Sequence, residues 1–189
     1  MVSDGGNLTA RQELRVQTRA DHTRVDEAFA RFDLGTTEGY RCFLRAQAAA
    51  LLPLEQALDD LGAHAVVHDW ETRRRSDLLR ADLVDLNADA PSDGPVPDLN
   101  SPEAILGALY VIEGSRHGGA VLERMVASAL PRRFLGATDS SRWRTLVGLI
   151  DDTLVSRRQR DVALRAARDV FGLFAAAGLK QAKASVLEH

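Results

Sequence analysis

Three glycines interrupt one otherwise helical stretch, Leu109 to Met125 (LYVIEGSRHGGAVLERM). They are Gly114, Gly118 and Gly119, with Ser115 and His117 between them. An interior glycine costs a helix about 0.5–1 kcal/mol relative to alanine. What it supplies in return is access. Without a Cβ, a backbone or a flat ligand can approach closely, and the helix can kink. Tight packing between two helices is the competing explanation for any single glycine. Three within six residues, with Gly114 and Gly118 one turn apart on one face, favour a backbone lying against something flat.

A second group of residues could complement such a face. His22 lies four residues after Thr18 and three before Val25, on the apolar stripe of a predicted first helix. A histidine so placed is either a core residue bonded to a carbonyl or a metal ligand. Imidazole is the usual protein ligand of haem iron in oxygen chemistry. Arg15 lies two turns earlier and Arg19 is nearby; such cations could pair with haem propionates or could simply edge a solvated helix. His64 and His68 are also four apart, but no further ligands accompany them, so a metal site there is not expected. The single cysteine, Cys42, excludes an intramolecular disulfide and a cysteine-based zinc site.

These residues need a scaffold, and composition limits which one. The chain has 189 residues and 45% apolar content, enough for one domain with a sizeable core. Net charge is −3, which argues against nucleic-acid binding by the fold as a whole. Cations are almost all arginine; the lysines are Lys180 and Lys183. Neither a signal peptide nor an apolar run near 18 residues is evident, so a cytoplasmic protein without a membrane segment is expected.

The pattern is all-α, a compact bundle of six to eight helices without strands or repeats. Residues 1–8 read as a frayed N-terminus, 9–185 as the domain and 187–189 as the remnant of a histidine tag. Thr9 and Gln12 form a capping box, opening a helix that runs to about Phe32. Thr36 or Thr37 caps a second helix, about Glu38 to Leu61, with a kink or break at Pro53 and a stop at Gly62. A third covers about Glu71 to Asp85. Asn87 to Asn100 is a loop. Ser101-Pro102-Glu103 starts the helix carrying the glycines. Ser140 or Ser141 caps a helix to about Leu154. The last runs from about Ser156 to Ala177, stopped by Gly178.

The residues then reach a family. Leu14-Arg-Val-Gln-Thr-Arg-Ala-Asp-His22-Thr-Arg-Val-Asp26 resembles the first helix of bacterial haem oxygenases. Leu109-Tyr-Val-Ile-Glu-Gly-Ser-Arg-His-Gly-Gly119 resembles their distal helix, and Arg168-Asp-Val-Phe-Gly-Leu-Phe174 their closing helix. The branch that supplies bacteriophytochromes with chromophore is the nearest in pattern. The resemblance implies an all-α fold that holds haem between the first helix and the glycine-kinked distal helix. It implies His22 as the iron ligand, and Gly114, Ser115, Gly118 and Gly119 along the distal face. Tyr110, Arg15 and Arg19 become candidates for the propionate edge, as do Arg142 and Arg144. It implies cleavage of haem to biliverdin, carbon monoxide and ferrous iron. Haem is then both substrate and cofactor, and O2 the oxidant. Electrons come from an external reductase or ferredoxin, because the chain carries no nucleotide or flavin motif. A bacteriophytochrome is a possible recipient of the biliverdin, and relatives suggest a monomer or weak dimer. The alternatives are a non-catalytic haem- or tetrapyrrole-binding protein of the same fold and an all-α interaction module without haem. Two positions depart from the family. Ser115 stands where mammalian-type members carry aspartate, as it tends to in the bacterial branch. His117 stands where leucine is common; pointing inward it would reach iron, and outward it would be a surface substitution.

Overall fold

The computed structural model describes residues 8–187 apart from 93 and 138. The expected frayed terminus and tag remnant therefore lie outside the described residues, except for Leu8 and the backbone of Leu187. Ten helical segments appear in the order α1 (Ala10–Gln17), α2 (Arg19–Phe29), α3 (Thr37–Asp60), α4 (Ala63–Val66), α5 (Trp70–Arg73), α6 (Ser76–Asp85), α7 (Pro102–Glu123), α8 (Arg133–Gly136), α9 (Ser140–Thr153) and α10 (Arg157–Leu187). Three of them, α4, α5 and α8, are single turns of four residues. The seven longer helices fall within the expected range, and no strand occurs among the described residues.

Local chemistry set several boundaries as read. The Thr9 hydroxyl accepts from the Gln12 amide, and the Gln12 side chain accepts from the Thr9 amide, closing the capping box. Thr36 caps α3 through the Gly39 amide, and Ser101 caps α7 through the Ala104 amide. Gly62 follows α3 with φ 72°, a left-handed conformation that glycine adopts without a Cβ penalty.

Other boundaries differ, each for a tertiary reason. The expected first helix is two helices. Thr18 leaves helical geometry at φ −103° and ψ 7°, and its hydroxyl donates to the Leu14 carbonyl. The third is also two, because Glu55 on α3 caps α6 from outside. Its carboxylate accepts from the Arg75 amide at 2.9 Å, the Ser76 amide at 2.9 Å and the Ser76 hydroxyl at 2.5 Å. Helix α3 continues through Pro53 without a break. The cap of α9 is Asp139 rather than Ser140 or Ser141; its carboxylate accepts from the Ser141 amide at 2.9 Å.

The largest correction is Gly178. It does not stop the last helix; α10 runs on to Leu187. The glycine instead marks a helix crossing, where an added Cβ would lie 3.1 Å from both Ala28 Cβ and the Phe29 ring on α2. Nearer its start, α10 crosses α7 at Gly107, where a Cβ would overlap the Ala163 carbonyl oxygen. Helix α10 is thus the common support against which α2 and α7 both pack. A backbone carbonyl cannot rotate away, so Gly107→Ala should cost on the order of 1–3 kcal/mol by overpacking. A lowered urea midpoint with an unchanged m-value would show it.

Candidate functional site

Helix α2 presents His22 outward, not into the core. Its side chain is 61% exposed, and Nδ1 lies 2.9 Å from Asp26 Oδ2, one turn on. The break at Thr18 explains the difference from the stripe reading: α1's apolar face does not continue in phase into α2. Thr18 and Asp21 are buried here, with Ala28, while His22 is not. The Asp26 carboxylate is placed to accept from Nδ1, which orients the ring and turns Nε2 away from that contact, where a metal could be held. An edge of the Phe171 ring on α10 closes one side, with ring centroids 5.9 Å apart.

Helix α7 meets the α1–α2 junction at Tyr110. The phenol lies beside the Thr18 hydroxyl and feels the Arg15 charge. Burial pushes its pKa up, while those two neighbours oppose the rise. Tyr110 and Arg15, both expected at a propionate edge, thus lie within electrostatic reach of each other. Arg19 is exposed on the adjoining turn. Arg142 is committed elsewhere: it pairs with Asp139 at 3.2 Å and donates to the Thr72 carbonyl. Arg144 is exposed and has no acid paired with it among the described residues.

The three glycines of α7 do different things. A Cβ on Gly114 would meet the Trp143 ring of α9 at 3.7 Å, ordinary contact. One on Gly118 would meet nothing within 4 Å. One on Gly119 would lie 3.0 Å from the Leu135 carbonyl oxygen, so this glycine is explained by packing against α8. The helix stays continuous through all three. His117 is exposed, with its ring edge 5.1 Å from Trp143. It is not a remote surface residue, because it shares that indole with Tyr110 and Gly114.

Ser115 is held from beneath. Its hydroxyl donates to the Ile112 carbonyl at 2.7 Å and accepts from Arg75 Nη2 at 3.0 Å. Arg75 is 5% exposed, lies 4.7 Å over the Phe134 ring and also donates to the Ile112 carbonyl. Burial, helped by the neighbouring Arg116 charge, lowers its pKa to about 10, so it remains cationic at neutral pH. One acceptor lone pair of Ser115 remains for a water or a ligand.

Beneath the glycines, buried charges clamp α7. Glu113 is 1% exposed and receives Arg73 Nη1 at 3.3 Å and Arg116 Nε at 3.1 Å. Arg116 also reaches the Ala137 carbonyl at 3.1 Å and the Arg73 carbonyl, and Arg73 reaches the Arg142 carbonyl at 3.2 Å. Helices α5, α7 and α9 and the end of α8 are tied together through this cluster. The spacing of His22 and Asp26 was available in the sequence as an i,i+4 pair. Arg75, Trp143 and the clamp were not, since long-range packing alone brings them to α7. His64 and His68 are exposed, and no cluster of three metal-ligating side chains occurs among the described residues.

The donor set suits haem: an exposed imidazole with a carboxylate on Nδ1, open space beside Gly118, and Tyr110 within electrostatic reach of Arg15. Comparison with known proteins agrees. The chain is 36% identical over 143 residues to a haem oxygenase of Xanthomonas campestris pv. campestris, covering 71% of this chain and 86% of that protein. It is 27% identical over 175 residues to haem oxygenase PigA of Pseudomonas aeruginosa, covering 86% and 88%. Among solved structures, the NO- and CO-bound haem oxygenase of Neisseria meningitidis shares the fold. The TM-score is 0.80 at 22% identity, over 94% of each chain. The haem oxygenase of Leptospira interrogans matches with TM-score 0.71 at 16% identity, over 92% of this chain and all of that one. No family model matches the sequence. The fold is the all-α fold of the haem oxygenase structures. The chain belongs to the haem oxygenase family.

Proposed function

We propose that this chain cleaves haem to biliverdin, carbon monoxide and ferrous iron, with haem as substrate and cofactor and O2 as oxidant. The observation that carries the proposal is the exposed His22, its Nδ1 held by Asp26. When bound, haem supplies an iron that binds O2 and the meso carbon that is oxidised. The protein's own residues do the rest. His22 Nε2 holds the iron, and the Asp26 carboxylate keeps the imidazole oriented. Arg15, Arg19 and Tyr110 anchor the carboxylates of the substrate. Gly118 lets the porphyrin lie close to the α7 backbone, with Gly114 and the Trp143 ring it faces one turn away. Ser115, pinned by Arg75, holds a water that delivers protons.

Electrons reach the site from a separate reductase or ferredoxin, and biliverdin passes to an acceptor such as a bacteriophytochrome; both partners belong to the proposal. Release of one carbon monoxide per haem, under a chemical reductant and O2, would support the assignment. Haem destroyed without carbon monoxide would refute it.

Gly118→Ala separates stability from function. The added methyl meets open space and improves helix propensity, so the haem-free protein should gain up to about 1 kcal/mol. Haem affinity should nevertheless fall, because the methyl occupies the approach to the backbone. A urea titration and a haemin titration on the same variant would check both halves.

A further inference from the structure

A cleft of about 590 Å³ lies between the start of α3, the end of α6 and the segment 129–133. None of the residues assigned to haem lines it. Its charged lining residues are Arg41, Arg132, Arg133 and Asp85, a surplus of two positive charges on a chain of net charge −3. Two of the arginines are engaged. Arg41 pairs with Glu38 and donates to the Leu86 carbonyl, and Arg133 pairs with Asp82 and Asp85. Arg132 is not: it has no acid paired with it among the described residues, and its Nε is buried without a hydrogen-bond partner. The fully buried Tyr40 hydroxyl, on α3, also lacks a partner. Leu86, Leu130 and Pro131 add an apolar wall.

Arg132 thus brings to the cleft wall a positive charge with no acid paired to it among the described residues, which a carboxylate would complement. We propose that this cleft is a second ligand site, which takes a small amphipathic carboxylate with its head on Arg132 and its apolar part along Leu86, Leu130 and Pro131. The site is independent of haem, so it stands or falls separately from the oxygenase reading. Its occupant would join the segment leaving α7 to α3 and α6. That segment leads into α8, on which Gly119 packs. Occupancy would thereby stiffen the support of the distal helix.

The test is a hexanoate titration of the haem-free chain, followed by amide NMR at constant ionic strength with chloride. Saturable shifts are expected at the amides of Leu86, Asn87, Leu130 and Arg132. Arg132→Gln should weaken binding about tenfold or more, the usual worth of a charge-assisted bond. Substituting the exposed Arg31 in the same way should leave it unchanged. Hexanol, which keeps the apolar part and loses the charge, should not bind to the wild type; this arm holds even if Arg132→Gln fails to fold. No saturable shift, equal binding of hexanol, or unchanged affinity in a folded Arg132→Gln would overturn the proposal. Inorganic phosphate binding as tightly as hexanoate would overturn its apolar half.

Discussion

His22→Ala is expected to abolish haem cleavage while leaving the fold intact. The imidazole is 61% exposed, and its one polar side-chain contact among the described residues is with Asp26, which is itself 66% exposed. Truncation therefore opens no core cavity and strands no buried charge. Surface changes of this kind usually move stability by no more than about 0.5 kcal/mol. The chemistry has no such cushion, because no second ligand cluster occurs among the described residues. Carbon monoxide production should fall by at least about a hundredfold, on the scale of losing an interaction worth roughly 3 kcal/mol or more at the transition state. A thermal melt and a turnover assay on one preparation check both parts. Asp26→Asn should give a graded version, because the imidazole remains while its orientation is less firmly held.

Glu113→Ala should do the reverse and fail as a fold before it fails as an enzyme. The carboxylate is 1% exposed and faces Arg73 and Arg116, which are 0% and 6% exposed. Without it, Arg116 loses the one acid paired with it among the described residues, and Arg73 keeps only Asp69. Removing one member of a buried ion cluster typically costs about 3–5 kcal/mol. That is a large part of the roughly 5–15 kcal/mol by which a domain is stable. The clamp sits one residue before Gly114, where three glycines together withhold about 1.5–3 kcal/mol of helix propensity. The loss should therefore register first at α7. Urea denaturation should show a much lower midpoint, and hydrogen exchange should show early opening of Pro102–Glu123. Glu113→Gln, which keeps shape and one acceptor, should cost less.

Much of the scaffold was legible in the residues. The Thr9 and Ser101 caps and the Gly62 stop are local signals, and local hydrogen bonds satisfy them. What the sequence concealed came from contacts between distant segments. Gly178 has the type of a helix stop but serves a crossing with Ala28 and Phe29, and only the packing of α10 on α2 distinguishes the two. Glu55 divides a helix that lies twenty residues downstream. The exposure of His22 depended on the break at Thr18, where the side chain bonds back to Leu14 instead of continuing the stripe. Of the three glycines that raised the question, Gly118 has the open face that a flat ligand needs, Gly114 lies against Trp143, and Gly119 is accounted for by Leu135.

The most direct test of the central claim is the visible spectrum of the one-to-one haem complex through a single turnover with reductant and O2. Loss of the Soret band, with growth of a broad red biliverdin absorbance, is the predicted result. A Soret band that persists under the same conditions would contradict it and leave a haem carrier built on this fold.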